Sequence, residues 1–117
     1  MKILIVEDDP SIKSTLEALC GEYWRVQKCH FAKSISESIW YLTRERPDII
    51  LLDLLLEGEL AEPIVTYIRE KFPVRPPRII AMSALNNGAQ LAALYRIPEY
   101  LKKPFDIDTL EEFIFKK

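Results

Sequence analysis

Glycine, cysteine and histidine are scarce in this chain. Its 117 residues include 3 Gly, 2 Cys and 1 His. Three scattered glycines cannot form the glycine-rich loop with which flavin- and nucleotide-binding α/β proteins hold a phosphate. Cys20 and Cys29 lack the CxxC spacing of metal and redox sites, and no Cys/His cluster exists. We therefore expect two reduced, semi-buried thiols.

An excess of one charge and a long apolar run are also missing. Lys and Arg total 16 against 18 Asp and Glu, a formal net charge of −2. This balance argues against a domain that binds nucleic acid through surplus positive charge. The apolar runs are far shorter than a membrane span, and residues 1–3 lead into a strand rather than a signal peptide. We expect a cytoplasmic protein with no membrane partner.

What the sequence does contain is the pattern of one alternating α/β domain over residues 1–117. Residues 3–6 and 49–52 are apolar without alternation, which is typical of parallel strands buried on both faces. Residues 79–82 and the shorter 100–101 are two further strands. Residues 24–29 alternate polar and apolar side chains and predict an edge strand. The length and the 49% hydrophobic content suit a single compact core.

Apolar residues at helical spacing follow each strand. Ser34 and Glu37 have the spacing of a capping box, Asp106 is a candidate N-cap, and a shorter helix is expected over residues 87–95. The order is therefore βαβαβαβαβα. It predicts a flavodoxin-like, doubly wound, five-stranded parallel sheet of order 2-1-3-4-5, flanked by five helices. The other helical stripes are Ile12, Leu16 and Leu19; Ile35, Ile39 and Leu42; Ile64, Ile68 and Phe72; and Ile107, Leu110 and Ile114.

Polar residues gather where the strands end. Glu7 and Asp8 follow the first strand, Asp53 the third, Ser83 the fourth and Lys103 the fifth. In a doubly wound sheet these carboxyl ends share one edge, near the point where strand order reverses. The first and third strands are neighbours in the predicted order, so their acids should converge. Each residue alone has an ordinary structural explanation, and only their conjunction indicates a site.

The residue types in this cluster indicate phosphoryl chemistry. Three close carboxylates repel one another unless a cation compensates, and an all-oxygen ligand set suits Mg²⁺. A lysine and a hydroxyl add a cation and a donor for phosphoryl oxygens. Asp53 can then act as the nucleophile. Asp9, which precedes Pro10, is instead expected to cap the next helix.

Four segments resemble the receiver domain of two-component response regulators, the CheY-like superfamily. They read ILIVEDDP, PDIILLDLLLEG, IIAMSAL and EYLKKPF, and the resemblance covers essentially all of the chain. It implies that Glu7, Asp8 and Asp53 bind Mg²⁺ together with the backbone carbonyl of Leu55. It also implies that Asp53 accepts a phosphoryl group from a histidine of a sensor kinase or phosphotransfer protein.

The same resemblance implies a switch and its partners. Lys103 would pair with the phosphoryl group, Ser83 would turn toward it, and Tyr100 stands at the aromatic switch position. The domain would catalyse only its own phosphoryl transfer and dephosphorylation, and is otherwise no enzyme. Its partners would be the phosphoryl donor and a downstream protein or effector domain, with no direct contact to nucleic acid. A dimer that forms on phosphorylation is compatible with the family.

The chain departs from the family pattern at several positions. Glu57 and Ala61 stand where receivers usually carry Pro and Gly, and the segment 83–103 is about two residues short. The fourth helix should therefore be clipped, which puts the usual output or dimer surface in doubt. The Lys103–Pro104 bond is usually cis in the family, but the sequence does not decide its isomer.

Other functions compete with this interpretation. A flavin binder is disfavoured by the acids after the first strand, and an aspartyl phosphatase by the absence of a DxD pattern there. The serious alternative is an interaction module that keeps the fold but does not depend on phosphorylation. The sequence also leaves open whether the domain stands alone or belongs to a larger regulator, which kinase feeds it and what it controls.

Overall fold

Strands and helices alternate along the chain. The computed structural model describes residues 1–22 and 28–115, with the side chains of all of these except residues 20–22. The strands are β1 (Lys2–Val6), β2 (Lys28–Ala32), β3 (Ile49–Asp53), β4 (Leu55–Leu56), β5 (Glu59–Leu60), β6 (Arg78–Ser83) and β7 (Glu99–Lys102). The helices are α1 (Pro10–Glu22), α2 (Ile35–Leu42), α3 (Glu62–Lys71), α4 (Gly88–Leu94) and α5 (Ile107–Phe115).

Five of the strands form one parallel sheet of order β2-β1-β3-β6-β7. Counting only these strands, the order is 2-1-3-4-5, so the predicted flavodoxin-like topology with five helices is confirmed. The register pairs Val6 with Leu52, and Asp53 with Met82. The carboxyl ends of β1, β3 and β6 therefore lie side by side.

The two faces of the sheet carry separate apolar layers. Leu4, Val6 and Leu52 point to the layer packed by α2, α3 and α4. The alternate residues Ile3 and Leu51 point to the layer packed by α1 and α5. Because both faces are covered, the inner strands β1, β3 and β6 are apolar at every position except their end residues, as is typical of buried parallel strands. In the part of the chain that the structure describes, no helix combines the length and apolarity needed to cross a membrane.

Predicted caps define two of the helices. The Ser34 hydroxyl accepts a hydrogen bond from the backbone N–H of Glu37 at 3.1 Å, while the Glu37 carboxylate accepts one from Lys33 at 2.8 Å. Asp106 accepts a bond from the N–H of Thr109 at 2.8 Å. These bonds satisfy donors that the first helical turn leaves free.

A short antiparallel hairpin, β4–β5, interrupts the alternation and was not predicted. Leu55 pairs with Leu60, and Leu56 with Glu59. Its two turn residues, Glu57 and Gly58, have φ of 48° and 80°. Positive φ at both positions is what a tight two-residue hairpin turn needs. The left-handed backbone of this region therefore lies at residues 57 and 58, while Ala61 has an ordinary φ of −82°.

Two expectations from the sequence need correction. The second strand extends to Ala32, three residues past the predicted end at residue 29, because all five residues of β1 pair with residues 28–32. It is an edge strand, as predicted, while residues 24–27 lie outside the described part. Cys29 is disulfide-bonded, so the expected reduced thiol is wrong there. The side chain of Cys20 lies outside the described residues.

Arg78, at the start of β6, links the edge strand β7 to the end of α5. Its guanidinium binds both carboxylate oxygens of Glu99, at 2.5 and 2.6 Å. It also donates to the backbone carbonyls of Phe113 at 2.6 Å and Ile114 at 3.1 Å. Both charged side chains are largely buried, with 26% and 16% exposed. These four hydrogen bonds come from one guanidinium and exceed the three donors of an ammonium.

We predict that Arg78→Lys lowers the free energy of unfolding by about 1–3 kcal/mol, because acceptors shielded from water lose donors. Urea unfolding followed by circular dichroism measures the change. The matched control is Arg75→Lys at an exposed position, which should change stability by less than about 0.5 kcal/mol. Equal effects of the two substitutions would contradict the bridging role of Arg78.

Candidate functional site

The carboxyl edge of the sheet brings the predicted site residues together. Glu7 follows β1, and its backbone N–H donates to the carbonyl of Ala32 at 2.9 Å, which extends the pairing with β2 by one residue. Asp53 ends β3 beside it, and Lys103 follows β7, where its N–H donates to the carbonyl of Ser83 at 2.9 Å. Backbone pairing thus places Glu7, Asp53 and Lys103 at the ends of the strands.

Three carboxylates and one ammonium form the centre of the site. One carboxylate oxygen from each of Glu7, Asp8 and Asp53 lies within 4.8 Å of the other two. Lys103 Nζ lies 2.8 Å from Asp53 Oδ2 and 2.6 Å from Glu7 Oε2. One ammonium against three carboxylates leaves a formal charge of −2 at the site.

Glu7 is the most constrained acid. Its side chain is fully buried, and Oε1 accepts a hydrogen bond from the N–H of Asp9 at 3.0 Å. Oε2 contacts Lys103, but no hydrogen bond of good geometry reaches it from the described residues. Burial raises the pKa of Glu7, and the neighbouring Asp53 charge adds to the rise, which the Lys103 ammonium only partly offsets.

Lys103 is held in its charged form. Burial lowers the pKa of its ammonium, but the hydrogen bond to Asp53 and the close negative charges of Asp53 and Glu7 outweigh burial and raise it. Only 10% of its side chain is exposed. The Lys103–Pro104 peptide bond, which the sequence left open, is cis.

Asp8 and Asp53 are bound to the β4–β5 hairpin. Asp8 Oδ2 accepts a hydrogen bond from the N–H of Glu57 at 2.9 Å, and Asp53 Oδ1 accepts one from the N–H of Leu55 at 3.0 Å. The left-handed φ of Glu57 belongs to the turn that carries this donor. The hairpin therefore orients two of the three carboxylates, a role that no motif in the sequence announced.

Asp9 does not join the cluster and caps α1, as predicted. Its Oδ1 accepts from both the N–H and the hydroxyl of Ser11, at 3.0 and 2.8 Å. Those two hydrogen bonds lower the pKa of Asp9.

Ser83 and Tyr100 lie at the other side of the site. Ser83 is fully buried, and its hydroxyl oxygen accepts from the N–H of Leu85 at 2.9 Å. The half-buried Tyr100 turns inward, and its hydroxyl donates to the carbonyl of Ser83 at 3.2 Å. The two predicted switch residues are thus in direct contact, although their roles in switching stay predictions.

Gly88 makes this inward position of Tyr100 possible. A Cβ added to Gly88 would overlap the Tyr100 hydroxyl and would lie 2.9 Å from both Tyr100 Cζ and Ser83 Cβ. Sequence reasoning missed this residue because it treated the glycines as scattered. The signal that the sequence offered was a glycine at the start of the short helix that follows the strand ending at Ser83.

The residues present fit a hard divalent cation. All candidate ligand atoms are carboxylate oxygens, two of the acids are buried, and Glu7 Oε2 lacks a well-directed hydrogen bond. Excess negative charge and oxygen ligands favour Mg²⁺ over softer metals. No contact among the described residues places the Leu55 carbonyl toward the cluster, so its role as a ligand stays a prediction.

Comparisons with known proteins identify similar sequences and a matching family. The family model for the response regulator receiver domain matches residues 3–115. The sensory transduction protein LytR of Staphylococcus haemolyticus is 29% identical over 116 residues, which cover 99% of this chain and 44% of that protein. The transcriptional regulatory protein KdpE of Staphylococcus aureus is 31% identical over 117 residues, with 93% and 46% covered. The chain thus spans less than half the length of these relatives.

Solved structures show the same fold. The receiver domain of the sensor histidine kinase PA1611 from Pseudomonas aeruginosa, solved with a magnesium ion in its active-site cleft, superimposes with a TM-score of 0.79 at 25% identity. The alignment covers 98% of this chain and 94% of that one. The chemotaxis response regulator CheY4 of Vibrio cholerae gives a TM-score of 0.81 at 19% identity, with 98% and 96% covered.

We predict that Gly88→Ala lowers the free energy of unfolding by about 1–3 kcal/mol through overpacking, although alanine is the better helix former by about 1 kcal/mol. In a Tyr100→Ala background the same substitution should cost less than half as much, because two of the three closest atoms are gone. Denaturant unfolding of the four proteins of this cycle measures both costs. A cost independent of residue 100 would show that Gly88 does not hold Tyr100 in place.

Proposed function

The chain belongs to the response regulator receiver domain family, and from this premise we propose that it is a phosphoacceptor switch of a two-component signalling system. Asp53 is the acceptor, and the phosphoryl group comes from a histidine of a sensor kinase or a histidine phosphotransfer protein. The observation that carries the proposal is the convergence on Asp53. Lys103 Nζ lies 2.8 Å from Asp53 Oδ2, and oxygens of Glu7 and Asp8 lie within 4.8 Å.

The proposed reaction is an in-line transfer. An oxygen of the Asp53 carboxylate attacks phosphorus, a P–O bond forms, and the P–N bond to the donor imidazole breaks. The imidazole leaves as a neutral ring after taking up a proton. Lys103 then balances charge on the transferred group, as it now balances the carboxylate. Water later attacks phosphorus, which releases inorganic phosphate and restores the Asp53 carboxylate.

Glu7, Asp8 and Asp53 are the residues that would hold Mg²⁺, with the Leu55 carbonyl as a further proposed ligand. Bound there, Mg²⁺ would neutralise charge on the phosphoryl oxygens during transfer. This chain contributes orientation: the N–H of Asp9 fixes Glu7, and the N–H of Glu57 fixes Asp8. We propose no catalysis on any separate substrate, only the domain's own transfer and dephosphorylation.

The switch follows from the contacts of Ser83. Its hydroxyl accepts a bond from Leu85, and its own proton stays available to donate. A phosphoryl group on Asp53 adds about −1.5 to −2 charges and three acceptor oxygens, which would draw this donor toward it. The loop after β6 would move with Ser83, and Tyr100, bonded to the Ser83 carbonyl, would change its packing.

The proposed setting is the cytoplasm, with a downstream protein or effector domain as the receiver of the signal. The short α4, of seven residues, alters the surface that this partner would meet. We propose no direct nucleic-acid contact by this domain, because its net charge is −2. A phosphorylation-dependent dimer is one form the output can take.

Phosphorylation is tested directly with acetyl phosphate and Mg²⁺. Intact-mass spectrometry should show a gain of one phosphoryl group, about 80 Da, that hydroxylamine removes because it is an acyl phosphate. Asp53→Asn should gain none, whereas the matched control Asp108→Asn, exposed on α5, should gain as much as the unaltered chain. No gain, or a gain that persists in Asp53→Asn, would favour a phosphorylation-independent interaction module.

Metal binding is tested separately through stability. Mg²⁺ at about 100 times its dissociation constant should raise the free energy of unfolding by about 2.7 kcal/mol. Lys103→Gln should lower the free energy of unfolding by about 3 kcal/mol without metal, because the carboxylates lose their only close ammonium among the described residues. For the same reason, Mg²⁺ should raise the free energy of unfolding of this variant by more than it raises that of the unaltered chain.

The controls for this prediction are a substitution of the neighbouring lysine and a substitution of one proposed metal ligand. Lys102→Gln, exposed and adjacent, should respond to Mg²⁺ like the unaltered chain, and Asp8→Asn should respond least. Urea unfolding with and without Mg²⁺, with EDTA in the metal-free samples, measures all four proteins. An unchanged response in Asp8→Asn would place the metal elsewhere.

A further inference from the structure

A groove lies on the face of the domain formed by α2, α3 and the β4–β5 hairpin. One depression of about 560 Å³ lies between Leu60, Pro63 and Tyr67, and a second of about 680 Å³ lies between Trp40, Leu56 and Glu59. Ile39 lines both, so the two depressions adjoin at this side chain on α2. None of the three carboxylates around Lys103 lines either depression, so the groove is distinct from the phosphoryl site.

The floor of this groove, which we call the α2–α3 groove, is apolar and accessible. Trp40 is 55% exposed and Leu60 is 45% exposed, both unusually high for large apolar side chains at adjoining sites. Ile39 and Tyr67 are half-buried between them. The hairpin supplies part of this floor, because Leu60 stands on its second strand beside the start of α3. The patch thus depends on the hairpin that the sequence pattern did not predict.

Carboxylates surround this floor. Glu57 and Glu59 line the end near the hairpin, while Glu62 and Glu70 line the end along α3, and all four are exposed. Within residues 1–22 and 28–115, none of these four side chains forms an ion pair. Arg44 stacks on the Trp40 ring at 4.3 Å and contributes one positive charge, so the four unpaired acids leave a net negative potential that a positively charged partner would neutralise.

We propose that the α2–α3 groove docks a basic amphipathic helix of a partner protein. Its apolar residues, spaced at i, i+3 or i+4 and i+7, would pack on Trp40, Ile39 and Leu60, and its Lys or Arg residues would face the acidic rim. An amphipathic helix laid in a groove between elements is a recurring mode of peptide recognition. The proposal goes beyond phosphoryl acceptance and does not depend on it.

The negative charge around the groove favours a basic helix over a second copy of the chain and over nucleic acid. A second copy of the chain, bound by the same face, would bring its own four carboxylates against these four, because a two-fold interface is self-complementary. Nucleic acid would meet the same repulsion from its phosphates. A partner with basic residues flanking an apolar stripe removes the repulsion and covers the exposed floor.

The test uses the 117-residue chain and a synthetic probe. The probe is a fluorescein-labelled helical peptide of about 18 residues, with leucines on one face and lysines on the other. Anisotropy titration should give a dissociation constant of about 1–100 μM at low salt that weakens as salt rises. A peptide of the same composition in scrambled order, which has no apolar face, should bind at least about tenfold more weakly.

Variants locate the binding surface. Leu60→Ser and Trp40→Ser should each weaken binding about tenfold, and the Glu59→Gln/Glu62→Gln double variant should reduce both affinity and salt dependence. The controls are Leu94→Ser, which is 72% exposed on α4, and Glu112→Gln, which is exposed on α5. Both should leave affinity unchanged, and circular dichroism checks that every variant is folded.

Chemical-shift mapping gives an independent readout of the site. The indole N–H of Trp40 and the amides of the hairpin should shift on titration of the unaltered chain with the unlabelled peptide. Equal binding of the scrambled peptide, equal loss in the control variants, or shifts confined to other faces would overturn the proposal. Self-association that Leu60→Ser abolishes, measured by sedimentation, would also overturn it by assigning the groove to a second copy.

Discussion

Repulsion among three carboxylates is the constraint on which the rest of this edge of the molecule depends. Glu7, Asp8 and Asp53 meet because parallel strands end side by side, and Lys103 alone among the described residues offsets them at contact distance. The excess negative charge at the site lowers the stability of the folded domain. It also makes the site suited to a divalent ion, whose two positive charges balance the excess that the chain leaves open.

The hairpin links this charged site to a separate surface. Glu57, in the left-handed turn, donates its N–H to Asp8 and carries its carboxylate to the rim of the α2–α3 groove. Leu60, two residues beyond the turn, forms part of the groove floor. One short hairpin thus serves two purposes: it orients a candidate metal ligand on one side and supplies part of an apolar floor on the other.

Packing around α4 constrains Ser83 and Tyr100, the two residues of the proposed switch. Tyr100 is inward because Gly88 has no side chain, and its hydroxyl donates to the carbonyl of Ser83. Any movement of Ser83 toward Asp53 therefore disturbs Tyr100 directly. The fit is close enough that a single methyl group would break it, which is typical of a densely packed interior. The shortened α4 begins at this same glycine.

Hydrophobic periodicity and strand-end chemistry in the sequence were sufficient for the sheet order, the helix count and the membership of the acidic cluster, because these depend on local patterns and on one topological rule. They did not predict the β4–β5 hairpin, the extent of β2, the bonded state of Cys29 or the bridge from Arg78 to α5. Each of those is a contact between residues distant in the chain or a backbone shape stabilised by such contacts. Sequence therefore determined which groups meet at the edge of the sheet. Tertiary structure alone decided how they are oriented and what surface surrounds them, because orientation depends on neighbours that the linear pattern does not specify.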